Sequence, residues 1–501
     1  MTGAPKRWGQ RVLGNATALW AGQAVQLASM VLWTALVARY IGPGVYGIYA
    51  FAQATVSILL ILVNLGLDQL LIRDLAQRPG LGFVYCLHAL RLKLGLGFIV
   101  LGGFIAFTFI QDRASEYTAI ASIVAVNGLA GAIGSLNASM INAREVMHYS
   151  VAAQAINAVL TLATGALGVW LHWPFSVILL MSLGATCVYV AISGVYARRL
   201  YRDVQAQQIN GERDWRTSLG VAVRSIPFGL LVLISVLSMN LGMVLLRWAH
   251  APDDTIGYFA AALRICSLVI LVPGSLTSAL FPGLARIYAE SEQRFARVFE
   301  FAWRFFFLIT VPVAAGLWLV ARDVILLIYG SEFGGAVPSL QILSLMLLNG
   351  VGFVMGTAMT AMNRQAMSAG IQGAALVVVA AIAWWTIPRY GGAGVAAAMV
   401  AGTLGGLVVY STLLFRWFRL RFPILWCIKT ALAASIMAAA TLLVQAWTGS
   451  LPLVLITAPI IYILCHLVLR TLSKNDWRQV AGILPESIVH GTFVRQPQGM
   501  D

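Results

Sequence analysis

Stretches of about twenty apolar residues, separated by short polar breaks, recur along the whole chain. They fall at 12–38, 47–67, 92–110, 118–141, 151–171, 175–196, 219–246, 255–281, 303–321, 336–360, 368–387, 394–415, 424–446 and 452–469. As a helix rising about 1.5 Å per residue, each is long enough to cross a hydrocarbon core of about 30 Å. The pattern therefore predicts fourteen spanning helices, the mark of an all-α polytopic membrane protein. The first stretch is too long for the apolar part of a secretory signal, carries Asn15, Gln23 and Gln26, and lacks a cleavage signal. It is expected to remain as the first spanning helix.

Composition agrees. Only 10% of the residues are charged, against about 25% in soluble domains. The net charge of +15 would point to nucleic acid in a soluble chain, but its distribution points elsewhere. With the N-terminus in the cytoplasm, the inner segments hold 25 Lys and Arg, Arg73, Arg91 and Lys93 among them, and the outer segments hold 5: Arg39, Arg113, Arg247, Arg322 and Arg389. Cytoplasmic loops are enriched in Lys and Arg, so the excess records orientation, with both termini cytoplasmic.

The outer loops are short and neither face carries a domain. The longest inner loop, 197–218, separates a six-helix lobe at 1–196 from a second at 219–415; two additional helices (416–469) and a cytoplasmic tail (470–501) follow. The lobes share motifs. Gly47-Ile48-Tyr49-Ala50-Phe51-Ala52 opens the second helix as Gly257-Tyr258-Phe259-Ala260-Ala261-Ala262 opens the eighth, and Leu75-Ala76 and Asn142-Ala143-Arg144 find counterparts in Leu284-Ala285 and Asn363-Arg364. The offsets are nearly constant, as expected of a duplicated six-helix unit with a substrate site between its halves.

Little in the sequence carries covalent chemistry. Cys86, Cys187, Cys266, Cys427 and Cys465 have no metal-ligand spacing, and the six histidines are scattered. Gly42-Pro43-Gly44-Val45-Tyr46-Gly47 has the spacing of a dinucleotide fingerprint, but it joins two membrane helices and reads as a tight turn. The expectation is a chain that is not an enzyme and has no cofactor or metal, with H+ or Na+ as a possible coupling ion.

Three basic residues fall inside spans: Arg224, Arg264 and Lys429. A buried cation is costly unless it faces a cavity or a partner. Arg264, about ten residues into its helix, reads as facing a cavity; for Arg224 and Lys429, snorkelling to the interface stays open. Asp68, at the inner end of the second helix, is the one acid outside loops and tails, and no carboxylate lies mid-span. Buried positive groups without deep negative ones point to an anionic cargo. At 100° per residue, Asn15, Gly22, Gln26, Ser29 and Trp33 share one face, as do Gln53, Ser57, Asn64 and Asp68, and again Gly257, Arg264, Ser275 and Ser278. These stripes either line a wet lumen or pack between helices.

An ordered set of motifs resembles the polysaccharide/oligosaccharide flippases (Wzx-type) of the multidrug/oligosaccharidyl-lipid/polysaccharide exporter superfamily. It runs from Ala38-Arg39-Tyr40-Ile41-Gly42-Pro43, Tyr46-Gly47-Ile48-Tyr49 and Asn64-Leu65-Gly66-Leu67 to Ile256-Gly257-Tyr258-Phe259, Tyr329-Gly330-Ser331-Glu332-Phe333, Met362-Asn363-Arg364 and Pro388-Arg389-Tyr390-Gly391-Gly392-Ala393-Gly394. The resemblance implies a flippase of the bacterial inner membrane that moves an undecaprenyl-pyrophosphate-linked oligosaccharide repeat unit by alternating access, for O-antigen, capsule or exopolysaccharide synthesis. Its partners would be that glycan, membrane lipid, a polysaccharide polymerase and a chain-length regulator, and no nucleic acid. By lobe position it implies a cationic cavity with Arg264 first and Arg224 second, and with Arg39 and Arg73 at its rims. Family members often carry an acid in helix seven, where this chain has Met239-Asn240; Asn240 joins the expected polar lining.

Rival readings remain at this level. A multidrug exporter would want a mid-membrane carboxylate, and a lipid II flippase fits the motifs less well. A membrane-embedded glycan polymerase or ligase would want a large outer loop with catalytic residues, and a purely structural subunit has no need of buried arginine.

Overall fold

The computed structural model describes the backbone of residues 4–77, 82–110, 115–205 and 215–469. Side chains are described over 22–77, 86–110, 116–201, 225, 229 and 232–469, apart from 278, 279, 282 and 451. The first seven helices are α1 (Ala4–Asn64), α2 (Leu67–Gln77), α3 (Gly82–Ile110), α4 (Ser115–Ala143), α5 (Met147–Trp170), α6 (Phe175–Gln205) and α7 (Trp215–Trp248). Then come α8 (Asp253–Glu290), α9 (Glu292–Leu319), α10 (Ala321–Tyr329), α11 (Val337–Ser344), α12 (Asn349–Ala361), α13 (Gln365–Trp417), α14 (Ile424–Thr448) and α15 (Leu451–Val468). Short 3-10 turns at Ser331–Ala336 and Leu345–Leu348 flank α11.

Ten helices among the described residues are long and apolar enough to cross a bilayer, and Val232–Trp248 and Pro452–Val468 are shorter apolar helices. Two of the ten, in α1 and α13, each hold two spans. Gly42 (φ 74°) breaks α1 and Gly391 (φ 53°) breaks α13; glycine takes such angles without a Cβ clash. The arms fold back. Trp33 and Tyr49 have ring centroids 5.8 Å apart, whereas sixteen residues of straight helix would separate them by about 24 Å. In α13 the Thr386 hydroxyl donates to the Gly394 carbonyl at 3.0 Å across the same kind of break. Counting these two helices twice and adding the shorter pair recovers the fourteen predicted spans. The chain is a multi-pass membrane protein.

Three expectations are corrected. The helix predicted from residue 92 begins at Gly82, because Phe83-Val84-Tyr85-Cys86-Leu87 continues its apolar face ahead of Arg91. Lys93 is therefore a buried helical residue, not a loop cation. The loop predicted over 197–218 is helical up to Gln205 and again from Trp215; residues 206–214 and the tail 470–501 lie outside the described residues. The span predicted over 336–360 runs from Ser331 to Ala361 as one apolar stretch and, in place of one regular helix, contains α11, a 3-10 turn and α12.

The chain forms two compact units. One comprises Met1–Leu268, Val324–Ser339 and Gln372–Met399, and the other Val269–Asp323, Leu340–Ile371 and Val400–Asp501. This division cuts through α8 and α13 and brings pieces of the second sequence half together with the first.

In the first unit, α1 packs on α3, α4, α5 and α7. The two copies of the glycine motif meet there. A methyl group on Gly47 would lie 2.0 Å from the Asp253 carbonyl oxygen, and one on Gly257 would lie 2.0 Å from that of Pro43. Adding 210 to 43 and 47 gives 253 and 257, so the contact maps onto itself, the pattern an internal duplication produces. Only glycine permits backbones this close. Gly47→Ala is expected to cost about 1–3 kcal/mol through overpacking against main chain that cannot yield. Thermal unfolding in detergent should show the loss, and Gly95→Ala, with no atom within 4 Å of the new methyl, should show none.

In the second unit, α9 packs on α12, α14 and α15, and α14 on α15. Phe295, Phe299, Trp303 and Phe306, spaced three or four apart, bury one face of α9 against Val351, Val354, Met355, Tyr410, Leu414 and Phe415. Lipid tails are as apolar as these side chains, so close packing rather than escape from water holds the helices together. Ser291 caps α9 by accepting the Arg294 N–H at 3.3 Å.

Candidate functional site

A cavity of about 270 Å³ lies within the first unit. The two arms of α1 supply Trp33, Thr34, Tyr46, Tyr49, Gln53 and Ser57, α7 supplies Met239, Asn240 and Met243, and α8 supplies Leu263, Arg264 and Ser267. The fold-back at Gly42 makes this possible, since it sets residues 33 and 49 side by side. Three of the predicted site residues, Arg264, Gln53 and Asn240, thus come together. Asn240 donates one amide hydrogen to the Val236 carbonyl at 2.9 Å, which fixes the side chain and leaves its carbonyl oxygen free to accept.

Arg264 is half-buried, and among the described residues its guanidinium has neither an ion pair nor a hydrogen bond. Its field reaches the phenols of Tyr46, Tyr49 and Tyr329. A guanidinium offers five N–H donors in a planar fork that matches phosphate or carboxylate oxygens. Around it stand amides and hydroxyls, which exchange donors and acceptors with hydroxylated ligands. The cavity thus sets one guanidinium among amides, hydroxyls and apolar side chains.

The other predicted residues have different surroundings. Arg39 donates to the Ile328 carbonyl at 2.9 Å and to that of Leu327, satisfying C-terminal carbonyls of α10, where a cation also complements the helix dipole. Arg73 pairs with Asp74 at 2.9 Å and is half-exposed. Gln26 donates to Gln154 on α5 at 3.5 Å. Among the described residues nothing donates a hydrogen bond to the buried Asn64 Oδ1.

Asp68 accepts from Lys93 Nζ at 2.7 Å and from the Ser135 hydroxyl at 2.8 Å, and Lys93, fully buried, also donates to the Ala132 carbonyl at 2.7 Å. In the second unit, Lys429 donates to the Leu469 carbonyl at 3.2 Å, at the end of α15, and Ser275 donates to Val272 of its own helix at 2.9 Å. The side chains of Asn15 and Arg224 lie outside the described residues. The aromatic wall of Trp33, Tyr46 and Tyr49 had only one sequence signal, the place of Trp33 on the polar face of the first helix.

Residues 12–288 match the family described as polysaccharide biosynthesis protein, and this stretch includes every residue of the cavity. The chain belongs to that family. It is 22% identical over 321 residues to the succinoglycan biosynthesis transport protein ExoT of Rhizobium meliloti (strain 1021), an alignment covering 62% of this chain and 61% of the relative's length.

Among solved structures, it resembles the lipid II flippase MurJ in an inward closed conformation, with a TM-score of 0.70 at 15% identity, covering 91% of this chain and 97% of that one. It also resembles an inward-facing multidrug resistance MATE transporter of the MOP superfamily, with a TM-score of 0.58 at 16% identity over 80% and 93%. At these identities the likeness is one of fold, and the fold is that of membrane transporters.

Proposed function

We propose that this family member is a flippase that carries an undecaprenyl-pyrophosphate-linked oligosaccharide repeat unit across the bacterial inner membrane by alternating access. The observation that carries the reading is Arg264, a cation without a carboxylate partner in a cavity lined by amides and hydroxyls. In that reading the guanidinium grips the pyrophosphate, and Gln53, Asn240 and Ser267 meet the first sugar. The site binds moderately, since a cargo held too tightly would not leave. The family match and the likeness to ExoT support a polysaccharide precursor over a drug as cargo.

The test is translocation of the fluorescent lipid-linked oligosaccharide in vesicles holding the purified protein, with lipid II and a cationic drug as parallel cargoes. Uptake of the oligosaccharide lipid alone supports the reading; drug transport without it overturns the reading.

The same proposal places both termini in the cytoplasm. With Lys93 withdrawn, the inner segments still hold 24 Lys and Arg against 5 outside. In a background free of native cysteine, a cysteine at position 322 should react with an impermeant maleimide in intact spheroplasts. One at position 294 should react only after permeabilisation. The reverse pattern inverts the topology.

A further inference from the structure

A second cavity lies wholly within the second unit and is three times larger, about 840 Å³, within the range that encloses drug-sized ligands. Its walls are apolar: Trp303 and Phe307 of α9, Val351 and Met355 of α12, Leu407 and Phe415 of α13. Arg416 and Arg419, both exposed, line it where α13 ends. That end turns back on itself: Arg419 N–H reaches the Arg416 carbonyl at 3.2 Å and Leu420 N–H reaches that of Phe415 at 2.9 Å. The turn keeps both guanidinium groups beside the cleft. Neither has an ion pair or a hydrogen bond from its side chain among the described residues.

Trp303 in this wall is 2% exposed. Rings of Phe307, Phe415 and Phe422 stand 5.3–5.5 Å from its own and hold it in place.

We propose that the cleft is a binding site for an anionic glycerophospholipid of the surrounding leaflet. One hydrocarbon chain lies along the apolar walls, Trp303 and Phe307 among them, and the phosphate meets Arg416 and Arg419 at headgroup level. Basic pockets between membrane helices hold acidic headgroups in this way. A soluble anion would find no use for the apolar walls. A sugar-bearing headgroup would find no amide or carboxylate in the lining, and the two lining hydroxyls already give their hydrogens away, Thr412 to the Val408 carbonyl at 2.6 Å and Ser411 to the Met355 sulfur at 3.9 Å. The site is therefore distinct in chemistry from the Arg264 cavity and independent of what that cavity carries.

The test uses the full-length protein, delipidated in mild detergent, with bound lipid read by native mass spectrometry and stability by thermal unfolding. Phosphatidylglycerol should bind and raise the melting temperature, and phosphatidylcholine should do neither. Arg416→Gln/Arg419→Gln should weaken phosphatidylglycerol binding about tenfold, the effect of roughly 1.4 kcal/mol. Arg294→Gln/Arg297→Gln removes the same charge from exposed positions elsewhere on α9 and should bind as wild type.

Equal binding of phosphatidylcholine, or equal loss in the two double variants, overturns the site. Binding of undecaprenyl phosphate but not phosphatidylglycerol, lost in Arg416→Gln/Arg419→Gln, overturns the occupant.

Discussion

Replacing Arg264 with glutamate is expected to abolish polysaccharide export while leaving the protein in the membrane at normal abundance. Among the described residues Arg264 has no ion pair or hydrogen bond to lose, so the fold is expected not to depend on its charge. The cargo does. Losing one partner of a desolvated charge pair costs about 2–5 kcal/mol, which is at least about 30-fold in binding, and the reversed charge adds repulsion. Arg264→Lys keeps the charge but loses the planar fork that engages two phosphate oxygens at once; it should retain about a tenth of the activity. Gln53→Ala and Asn240→Ala remove neutral contacts and should cost no more than a few-fold.

The readout is surface polysaccharide, normalised to membrane-inserted protein, in cells whose chromosomal copy is deleted. Full export by a well-inserted Arg264→Glu protein would remove the cavity from the transport path.

Arg264 was legible in the sequence because a bilayer makes a mid-span cation conspicuous, and Gln53 because polar residues at helical spacing stand out among apolar ones; Asn240 entered through the family resemblance alone. The spans were legible for the same reason: a hydrocarbon core sets a minimum length that water does not. Of the aromatic members of the cavity only Trp33 was, by its place on a polar face; Tyr46 and Tyr49 were not. A tyrosine in a membrane helix looks the same from the sequence whether it packs, anchors or lines a lumen, and only the fold-back at Gly42 brings Trp33, Tyr46 and Tyr49 to one wall.

The break within α1 was legible as a turn, through Gly42-Pro43, and that within α13 as the gap between two predicted spans, whereas the 3-10 turn at Leu345–Leu348 is itself apolar, with neither glycine nor proline, and leaves no local mark. Lys93 was lost for a plainer reason. It stands two residues after Arg91, and adjacent cations read as a loop unless the apolar residues ahead of them are counted as helix.

Lys93 leads to the second large effect. Asp68→Asn is expected to destabilise the protein strongly, by about 3–5 kcal/mol, the cost of leaving a buried charge without its counter-ion. Lys93 is fully enclosed, and without the carboxylate it keeps only the Ala132 carbonyl and the Ser135 hydroxyl, the latter at 3.2 Å. Lys93→Met should cost less, because the Asp68 side chain is 25% exposed and keeps the Ser135 hydroxyl at 2.8 Å.

The double variant Asp68→Asn/Lys93→Met should recover most of the loss, since a neutral replacement of similar volume removes both the attraction and the cost of desolvating two charges. The two changes are thus expected to be strongly non-additive, as neighbours in one network are. Thermal unfolding of the purified variants in one detergent checks this; additive losses would show that the two side chains do not rely on each other. Asp68 is absent from the wall of the Arg264 cavity, so the stable double variant should also export. A double variant that folds well yet fails to export would show that transport uses this charge pair and not merely the fold it holds.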